Sequence, residues 1–505
     1  MSNLSDLIPA GASGKTITAT DSGSGITTKK PVIVESDGDV TQVSVSTTSE
    51  NLTLGTVAEW SSTEVSNMDV AFDSGANKVV IVYRDNGSSN YLGAQVGTVT
   101  VGTGAVSWGG KTVLNSEASY YPKIAADPNA TGKFIVTWSA GHTQSKVAVL
   151  SLSGTTPSIA GTTNAGGATT NYYEIAADPN TTGLFVVAGV EGADRYVDAV
   201  ALTYSGSTFT IGGVTTMNST TAEERTGFSV AFDQNTAGKF GCAYQQYASP
   251  YHGYFVGGTI SGTTITAGTE EVFRSGTTNH VNIAFDPATA DKLMVTYYTG
   301  STTTMGATVA TLSGTDATWG TEVTDAAAAT PQANQGTKLM PVYGGSGDNY
   351  YLGAALNDGS GTSYLVRITT SGTVPTWATW TRIGDKQHGG DQGGYGISRY
   401  NKGLICSAWL ENTSDDGDFR ISQGEATTTN LTATNFVGIA DEAITASASG
   451  NIVVQGGTIT GLSSLTIGSQ YYVRTDATFN TTAGTPSVKA GVALSTTSLL
   501  LNGDT

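Results

Sequence analysis

The chain has 505 residues, of which 65 are glycine and only 13% are charged, a composition typical of short strands joined by tight turns. The net charge is -18, from 23 Lys and Arg against 41 Asp and Glu. An acidic surface repels nucleic acid and anionic lipid, so we expect no nucleic-acid partner. No apolar run approaches the ~18 residues of a membrane-spanning helix, so we expect no membrane insertion.

Residues 1–50 are predicted to be an N-terminal segment that supplies docking strands. Residues 1–20 have neither a basic stretch nor an apolar core, so they are not a secretory signal. We therefore expect synthesis in a host cytoplasm without a signal peptide. Residues 28–45 (TKKPVIVESDGDVTQVSV) predict two short strands around a Ser-Asp-Gly-Asp turn.

Residues 51–430 contain a repeated phrase: an apolar strand ending in Asp, a short turn, and a second apolar strand that usually ends in an aromatic residue. The copies are VAFDSGANKVVIVY (70–83), IAADPNATGKFIVTW (124–138), IAADPNTTGLFVVAG (175–189), VAFDQNTAGKFGCAY (230–244) and IAFDPATADKLMVTY (283–297), with degenerate copies at 338–356 and 395–410. The turn residues are spaced by 51 to 57 positions: Asp73, Asp127, Asp178, Asp233, Asp286, Tyr343 and Tyr400. Because such repeats are typical of four-stranded blades, the sequence predicts an all-β fold with a seven-bladed β-propeller.

The turn aspartates have two interpretations. Asp-Pro-Asn and Asp-Ser-Gly are turn formers, since the carboxylate accepts backbone N–H groups and Pro fixes φ. Calcium binding is the alternative, also for the acidic turns at 37–39 and 415–418, because carboxylate oxygens are calcium ligands. Each repeat turn has one Asp and no second carboxylate at a fixed offset. We therefore favour a structural role and assign no metal ligand.

Each repeat continues with a third strand, a hairpin and an outer fourth strand. Five hairpins begin Ser-Gly-Thr or Ser-Gly-Ser, at 153–155, 205–207, 261–263, 313–315 and 371–373. Glycine there predicts a turn that needs positive φ. The seventh repeat has a third strand at 418–422 but no fourth strand. Residues 55–60 match the missing strand, so we expect the two to pair and close the ring.

Residues 431–505 are predicted to be a C-terminal β-domain with strands near 451–454, 470–474 and 498–501. A closed ring brings the chain ends together, and each end alone is too small for a stable core. We therefore expect residues 1–50 and 431–505 to form one small β-domain.

The repeats resemble those of virion structural, tail-fibre-like proteins of marine tailed bacteriophages. The resemblance rests on residues 70–91, on the repeated Ser-Gly-Thr-Thr hairpins, and on the terminal stretches 3–11, 430–444, 461–476 and 487–501. It implies a virion protein that displays a β-propeller for host attachment, through a surface glycan or protein. It also implies docking to other virion proteins through the terminal β-domain, for which we expect a homotrimer.

Two other functions remain open from the sequence. One is a capsid decoration or tail-wall protein without receptor binding. The other is a sialidase-like glycoside hydrolase. Chains of that class typically contain Ser-x-Asp-x-Gly-x-x-Trp turns and a triad of arginines. Residues 414–419 are the nearest match and fail that spacing. We therefore predict that the protein is not an enzyme and assign no catalytic residue, cofactor-binding residue or cofactor.

The histidines and cysteines carry no ligand pattern. His142, His252, His280 and His388 fall in different repeats, and we expect all four in surface loops. Cys242 and Cys406 occupy the same strand of two different repeats, so we expect two buried thiols rather than a disulfide.

Overall fold

The structure is a computed structural model of the chain. It describes residues 16–48, 53–54, 58–62, 65–73, 75–100, 105–166, 173–190, 194–223, 227–299, 304–325, 337–342, 350–356, 363–384, 397–400, 404–410, 417–423, 426–484 and 486–502. Their regular structure is almost entirely β-strand, with one 3-10 turn at Asn86–Ser88. None of the helical structure in these residues is long and apolar enough to cross a membrane.

The chain divides into two compact units, which we call the terminal unit and the repeat unit. The terminal unit consists of Met1–Thr48 and Ala426–Thr505, and the repeat unit consists of Ser49–Glu425. The terminal unit begins with β1 (Thr16–Thr20), β2 (Pro31–Val34), β3 (Val40–Gln42) and β4 (Val45–Thr48).

The repeat unit opens with two short strands, which precede the first repeat: β5 (Thr53–Leu54) and β6 (Ala58–Ser61). The first repeat contains β7 (Val65–Asp73), β8 (Lys78–Asp85), β9 (Tyr91–Thr100) and β10 (Ala105–Trp108). The second contains β11 (Thr112–Ala126), β12 (Lys133–Ala140), β13 (Gln144–Ser153) and β14 (Thr156–Asn164). The third contains β15 (Tyr173–Ala177), β16 (Leu184–Val190), β17 (Val197–Ser205), β18 (Thr208–Ile211) and β19 (Thr215–Thr216).

The remaining repeats follow the same plan. The fourth contains β20 (Phe228–Phe232), β21 (Lys239–Gln245), β22 (Gly253–Ser261) and β23 (Thr264–Arg274). The fifth contains β24 (Asn279–Phe285), β25 (Lys292–Tyr298), β26 (Met305–Ser313), β27 (Asp316–Trp319) and β28 (Val323–Asp325). The sixth contains β29 (Thr337–Val342), β30 (Tyr350–Leu356), β31 (Ser363–Ser371), β32 (Val374–Trp377) and β33 (Thr381–Gly384), and the seventh β34 (Ile397–Tyr400), β35 (Leu404–Leu410) and β36 (Gly417–Gln423).

Within each repeat the first three strands pair in order as an antiparallel meander. The start of β11 also pairs with β9, so the first two repeats share one sheet. The third strand turns into the fourth through the predicted glycine hairpin. These glycines have φ between +60° and +65°, which confirms the expected positive φ: Gly154, Gly206, Gly262, Gly314 and Gly372. A side chain with a Cβ would be strained in that conformation. In the third, fifth and sixth repeats, two short segments both pair with the third strand in place of one long fourth strand.

The start of the repeat unit pairs with its end. Strand β36 pairs with β5 through Ser422 and Leu54, and with β6 through Phe419 and Ala58. The expected pairing is therefore confirmed for the described residues 53–54 and 58–61. The first strands of successive repeats contact one another in chain order, and β34 of the last repeat contacts β7 of the first.

The core of the repeat unit lies between neighbouring sheets. Second strands are almost entirely buried: β16 and β21 along their whole length, and β12 in all residues after Lys133, which explains their apolar runs. One apolar cluster, for example, joins Val80 and Val82 of the first repeat to Phe134 and Val136 of the second. Cys242 is a free thiol in this core, and burial raises its pKa.

The terminal unit contains the C-terminal strands β37 (Ala426–Thr429), β38 (Phe436–Ala440), β39 (Ser449–Val454), β40 (Thr458–Thr460), β41 (Gln470–Val473), β42 (Phe479–Asn480), β43 (Val488–Ala493) and β44 (Ser498–Leu501). One sheet has the order β1-β39-β38-β2-β3 and thus combines both ends of the chain. Strand β4 pairs with β37, and the C-terminal strands form a second sheet, β40-β44-β43-β41-β42. Asp21 is buried in this unit and accepts N–H bonds from Gly23, Gly25 and Ser447.

Candidate ligand-binding face

The meander gives every repeat two different ends. One end holds the Asp turns and the glycine hairpins, and we call it the turn end. The other holds the loops between second and third strands and the connections to the next repeat, and we call it the loop end. Because all strands of a meander alternate in direction, these two sets of connections cannot mix.

The turn end is a series of clamps between neighbouring repeats. Asp127 accepts one N–H bond from Asn129 in its own turn and another from Gly183 of the next repeat, both at 2.9 Å. The same carboxylate accepts a bond from the Tyr204 hydroxyl, and burial together with this bond raises the pKa of that phenol. Equivalent cross-repeat bonds join Asp73 to Gly132, Asp178 to Gly238 and Asp233 to Asp291.

These contacts agree with the structural interpretation of the turn aspartates. In Asp73, Asp127, Asp178 and Asp233, backbone donors occupy both carboxylate oxygens, which is the pattern of a buttressed turn. In Asp286, backbone N–H groups bind one oxygen, and Tyr351 and Lys292 contact the other. Of the acidic turns proposed as calcium sites, the one at 37–39 is a simple exposed turn in which Asp37 accepts the Asp39 N–H. Asp415 and Asp416 lie outside the described residues. Within the described residues, no group of three or more His, Cys, Asp or Glu side chains could hold a metal ion.

The loop end differs from the turn end in composition and in backbone conformation. Asn67, Tyr121 and His280 occupy equivalent places, where a first strand begins to pair with the second strand of its repeat, and all three have left-handed φ between +43° and +51°. Each lies in a register shift between the first and second strands. Such bulges redirect side chains and are frequent beside binding sites.

The first cluster at the loop end, which we call the Arg195–Tyr247 patch, joins the third and fourth repeats. The guanidinium carbon of Arg195 lies 3.5 Å from the centroid of the Tyr247 ring. Tyr247 and Tyr251 are 43% and 40% exposed, large values for tyrosine side chains held in ordered loops. His252 follows in the same loop and is half-buried.

A short segment at 218–222 holds this patch together. The Tyr247 N–H donates to the Thr221 carbonyl at 2.9 Å, and the Ala222 N–H donates to the Arg195 carbonyl at 2.8 Å. Asn218 accepts the Val197 N–H at 2.8 Å. The segment therefore lies between the two loops and fixes their spacing.

The carboxylate of Glu270 fixes the segment in turn. It accepts bonds from the N–H and hydroxyl groups of Ser219 and Thr220 and from the Tyr244 phenol. A single side chain from β23 thus occupies five donors. This arrangement preorganises the loops before any ligand arrives.

The second cluster, the Arg84–Tyr120 patch, joins the first and second repeats. The Arg84 guanidinium carbon lies 4.5 Å from the Tyr120 centroid, and the His142 ring centroid lies 3.6 Å from it. Both groups therefore pack on the Tyr120 ring. Tyr121 meets His142 edge-on at 6.0 Å, and Arg84 donates to Asn90 at 2.9 Å.

The sequence assigned no residue to this face. The expectation of surface histidines agrees with the exposed His142 and the half-buried His252, but it is wrong for His280, which is only 2% exposed. Its bulge turns the side chain inward, beside Tyr298. His388 lies outside the described residues. The residues of both patches lie in loops or in strand residues near the loops, where the sequence does not follow the repeat.

Comparisons with known proteins concern the fold. No protein-family model and no curated protein sequence matches the chain. The chain is similar to the BP39L lectin from Burkholderia pseudomallei, with 9% identity and a TM-score of 0.53 over 77% of this chain and 100% of the lectin. Weaker similarities are to Sqt1 from Chaetomium thermophilum (10% identity, TM-score 0.46, 72% and 99% covered) and to the Aleuria aurantia lectin (12% identity, TM-score 0.38, 72% and 94% covered). The chain is an all-β protein, and its similarity to the BP39L lectin indicates a β-propeller fold.

Proposed function

We propose that this chain is a virion surface or appendage protein whose seven-bladed propeller binds a host-surface glycan without cleaving it. The blade number is supported by seven sequence repeats and by the order of contacts from β7 round to β34. The virion setting is supported by the sequence resemblance to tail-fibre-like phage proteins.

One observation carries the binding function: two aromatic and cationic patches lie at the loop end, held by hydrogen bonds between loops. Ligand sites typically combine apolar or aromatic surface with a few well-placed polar groups on a rigid scaffold. Exposed tyrosine supplies contact area at a low entropic cost, and arginine supplies directional donors. At the turn end, by contrast, the described turn aspartates are occupied in clamps between repeats.

The engagement of two described acids at the loop end, Glu270 and Glu322, supports binding rather than hydrolysis at these two side chains. Glycoside hydrolysis needs a pair of carboxyl groups that face the scissile bond. Glu270 is occupied by five donors, and Glu322 accepts a bond from Arg274 at 3.0 Å. Neither side chain is placed to exchange a proton with a bound sugar.

The terminal unit is proposed to dock the protein onto other virion proteins and to form a homotrimer. Ile467 and Leu494 are 65% and 52% exposed in this unit. The Gly468 N–H donates to the Ala493 carbonyl at 2.8 Å, so these two apolar side chains lie in adjacent loops. Burial of such surface against a partner would stabilise the unit.

The test is to apply the full chain to host cells and to an array of surface glycans, and to assay the same glycans for released products. Saturable binding without product formation is the expected result. Product formation that one carboxylate substitution abolishes would favour the hydrolase. Failure to bind any host glycan, with incorporation into particles intact, would favour the decoration or tail-wall role.

A further inference from the structure

We infer that the Arg195–Tyr247 patch is a preformed binding site for a neutral pyranose sugar, and that Glu270 is its positioning residue. This inference rests on the proposed glycan-binding function. It adds the location of the site, the chemical class of the sugar and a residue that acts without touching it.

The tyrosine rings provide the apolar platform. Arg195 covers one face of Tyr247 at 3.5 Å, while 43% of the side chain is exposed. Tyr251, four residues further along the same loop, is 40% exposed, and its carbonyl accepts the Thr278 N–H at 2.9 Å from the next repeat. The C–H face of a pyranose packs on an aromatic ring, whereas its hydroxyls require polar partners at the edge. Arg195 and His252 place such partners beside the rings.

The charges around the patch determine the class of sugar. Asp194 directly precedes Arg195, and Asp198 and Glu223 flank the two joined loops. Burial and the negative charge of Asp194 raise the pKa of Asp198, which shows that these two acids are close enough to interact. Among the described residues of the two joined loops, the guanidinium of Arg195 is therefore accompanied by three carboxylates, and the nearby Arg274 is paired with Glu322. Sialic and uronic acids would be repelled, while a neutral hexose or deoxyhexose would not be.

The position of Glu270 explains how the patch keeps its shape. Its carboxylate binds Ser219 and Thr220, and the next two residues hold the backbones of Tyr247 and Arg195. Removal of the carboxylate leaves four loop donors without their acceptor. The segment would then lose its fixed spacing, and the sugar would have to order it on binding.

The experiment measures the affinity of the full chain for a panel of neutral, sialylated and uronate-containing oligosaccharides by calorimetry. We expect at least one neutral glycan to bind. Tyr247→Ala and Arg195→Ala should each weaken that binding about tenfold or more, the scale of a central aromatic or arginine contact. Tyr247→Phe retains the ring and should change affinity much less. Val272→Ala removes an exposed apolar side chain outside the patch and serves as the control.

The role of Glu270 is tested with Glu270→Ala and Glu270→Gln. Alanine should weaken neutral-sugar binding, and glutamine should restore part of it, because its carbonyl oxygen still accepts loop N–H bonds. Equal losses in both variants, or none in either, would overturn the positioning role. Thermal melting of each variant identifies any loss that comes from unfolding.

The outcomes separate this inference from the proposed function. Neutral-sugar binding that survives both Tyr247→Ala and Arg195→Ala would overturn the site while leaving the function intact. Binding restricted to acidic sugars and abolished by Arg195→Ala would overturn the sugar class. If the wild-type chain binds no glycan, the proposed function and the inference both fail.

Discussion

Replacement of Asp178 by alanine should destabilise the repeat unit by about 2–4 kcal/mol. The Asp178 side chain is fully buried, and it accepts the Gly238 N–H at 2.7 Å and the Asn180 N–H at 2.8 Å. The Gly238 bond is buried, so the alanine variant leaves the Gly238 N–H without an acceptor. This unpaired amide should lower the free energy of unfolding by about 1–3 kcal/mol. The Asn180 bond is partly exposed, so water can replace the acceptor and the cost is about 1 kcal/mol.

The measurement is urea unfolding of the full chain, followed by tryptophan fluorescence. Asp316→Ala is the matched control, because Asp316 is exposed at a hairpin of the same unit and its loss should cost less than about 0.5 kcal/mol. Asp178→Asn keeps one acceptor oxygen and should fall between the alanine variant and wild type. If Asp178→Ala unfolds at the same urea concentration as the control, the clamp between repeats contributes nothing and the reasoning is refuted.

Three further predictions concern the repeat and terminal units. A fragment of residues 62–425 should melt well below one of residues 49–425, because it lacks β5 and β6; equal melting would exclude a closing role for these strands. Asp198→Asn should stabilise the protein at pH 7, because the raised pKa of Asp198 means that folding favours its protonated form, which asparagine mimics. That advantage should shrink as the pH falls through the pKa of Asp198. A stabilisation that grows at low pH would contradict the upward direction of this pKa shift. The full chain should sediment as a trimer and the 49–425 fragment as a monomer; trimers of the fragment would place the contact on the propeller.

The regular parts of the fold could be predicted from the sequence because each repeat contains the same turn and hairpin motifs at similar positions. The Asp turns and the Ser-Gly-Thr hairpins determine where strands end, and their spacing determines the length of each sheet. The pairing of residues 55–60 with the last strand of the seventh repeat could be predicted by counting strands, since that repeat lacks its fourth strand. The turns and hairpins depend on residues close together in the chain, whereas the closing pair could be predicted only because the repeat makes the strands countable.

The candidate site could not be predicted in this way, because it depends on contacts between residues far apart. Arg195 and Tyr247 come together only through the segment at 218–222, and Glu270 reaches that segment from another strand. The inward position of His280 likewise depends on a bulge that no periodic pattern marks. Loop residues differ from one repeat to the next, so their contacts can be identified only when the packing of neighbouring sheets is known.

The terminal unit combines strands from both ends of the chain, and this arrangement sets an order of folding during synthesis. Strands β1 to β4 emerge first from the ribosome, but β37 to β39 follow only after Ser49–Glu425 has been translated. At typical translation rates that interval is roughly 20–80 s. A chain that stops within the repeats can therefore never complete the terminal unit. If that unit docks the protein, particle assembly would reject prematurely terminated chains without any separate proofreading step.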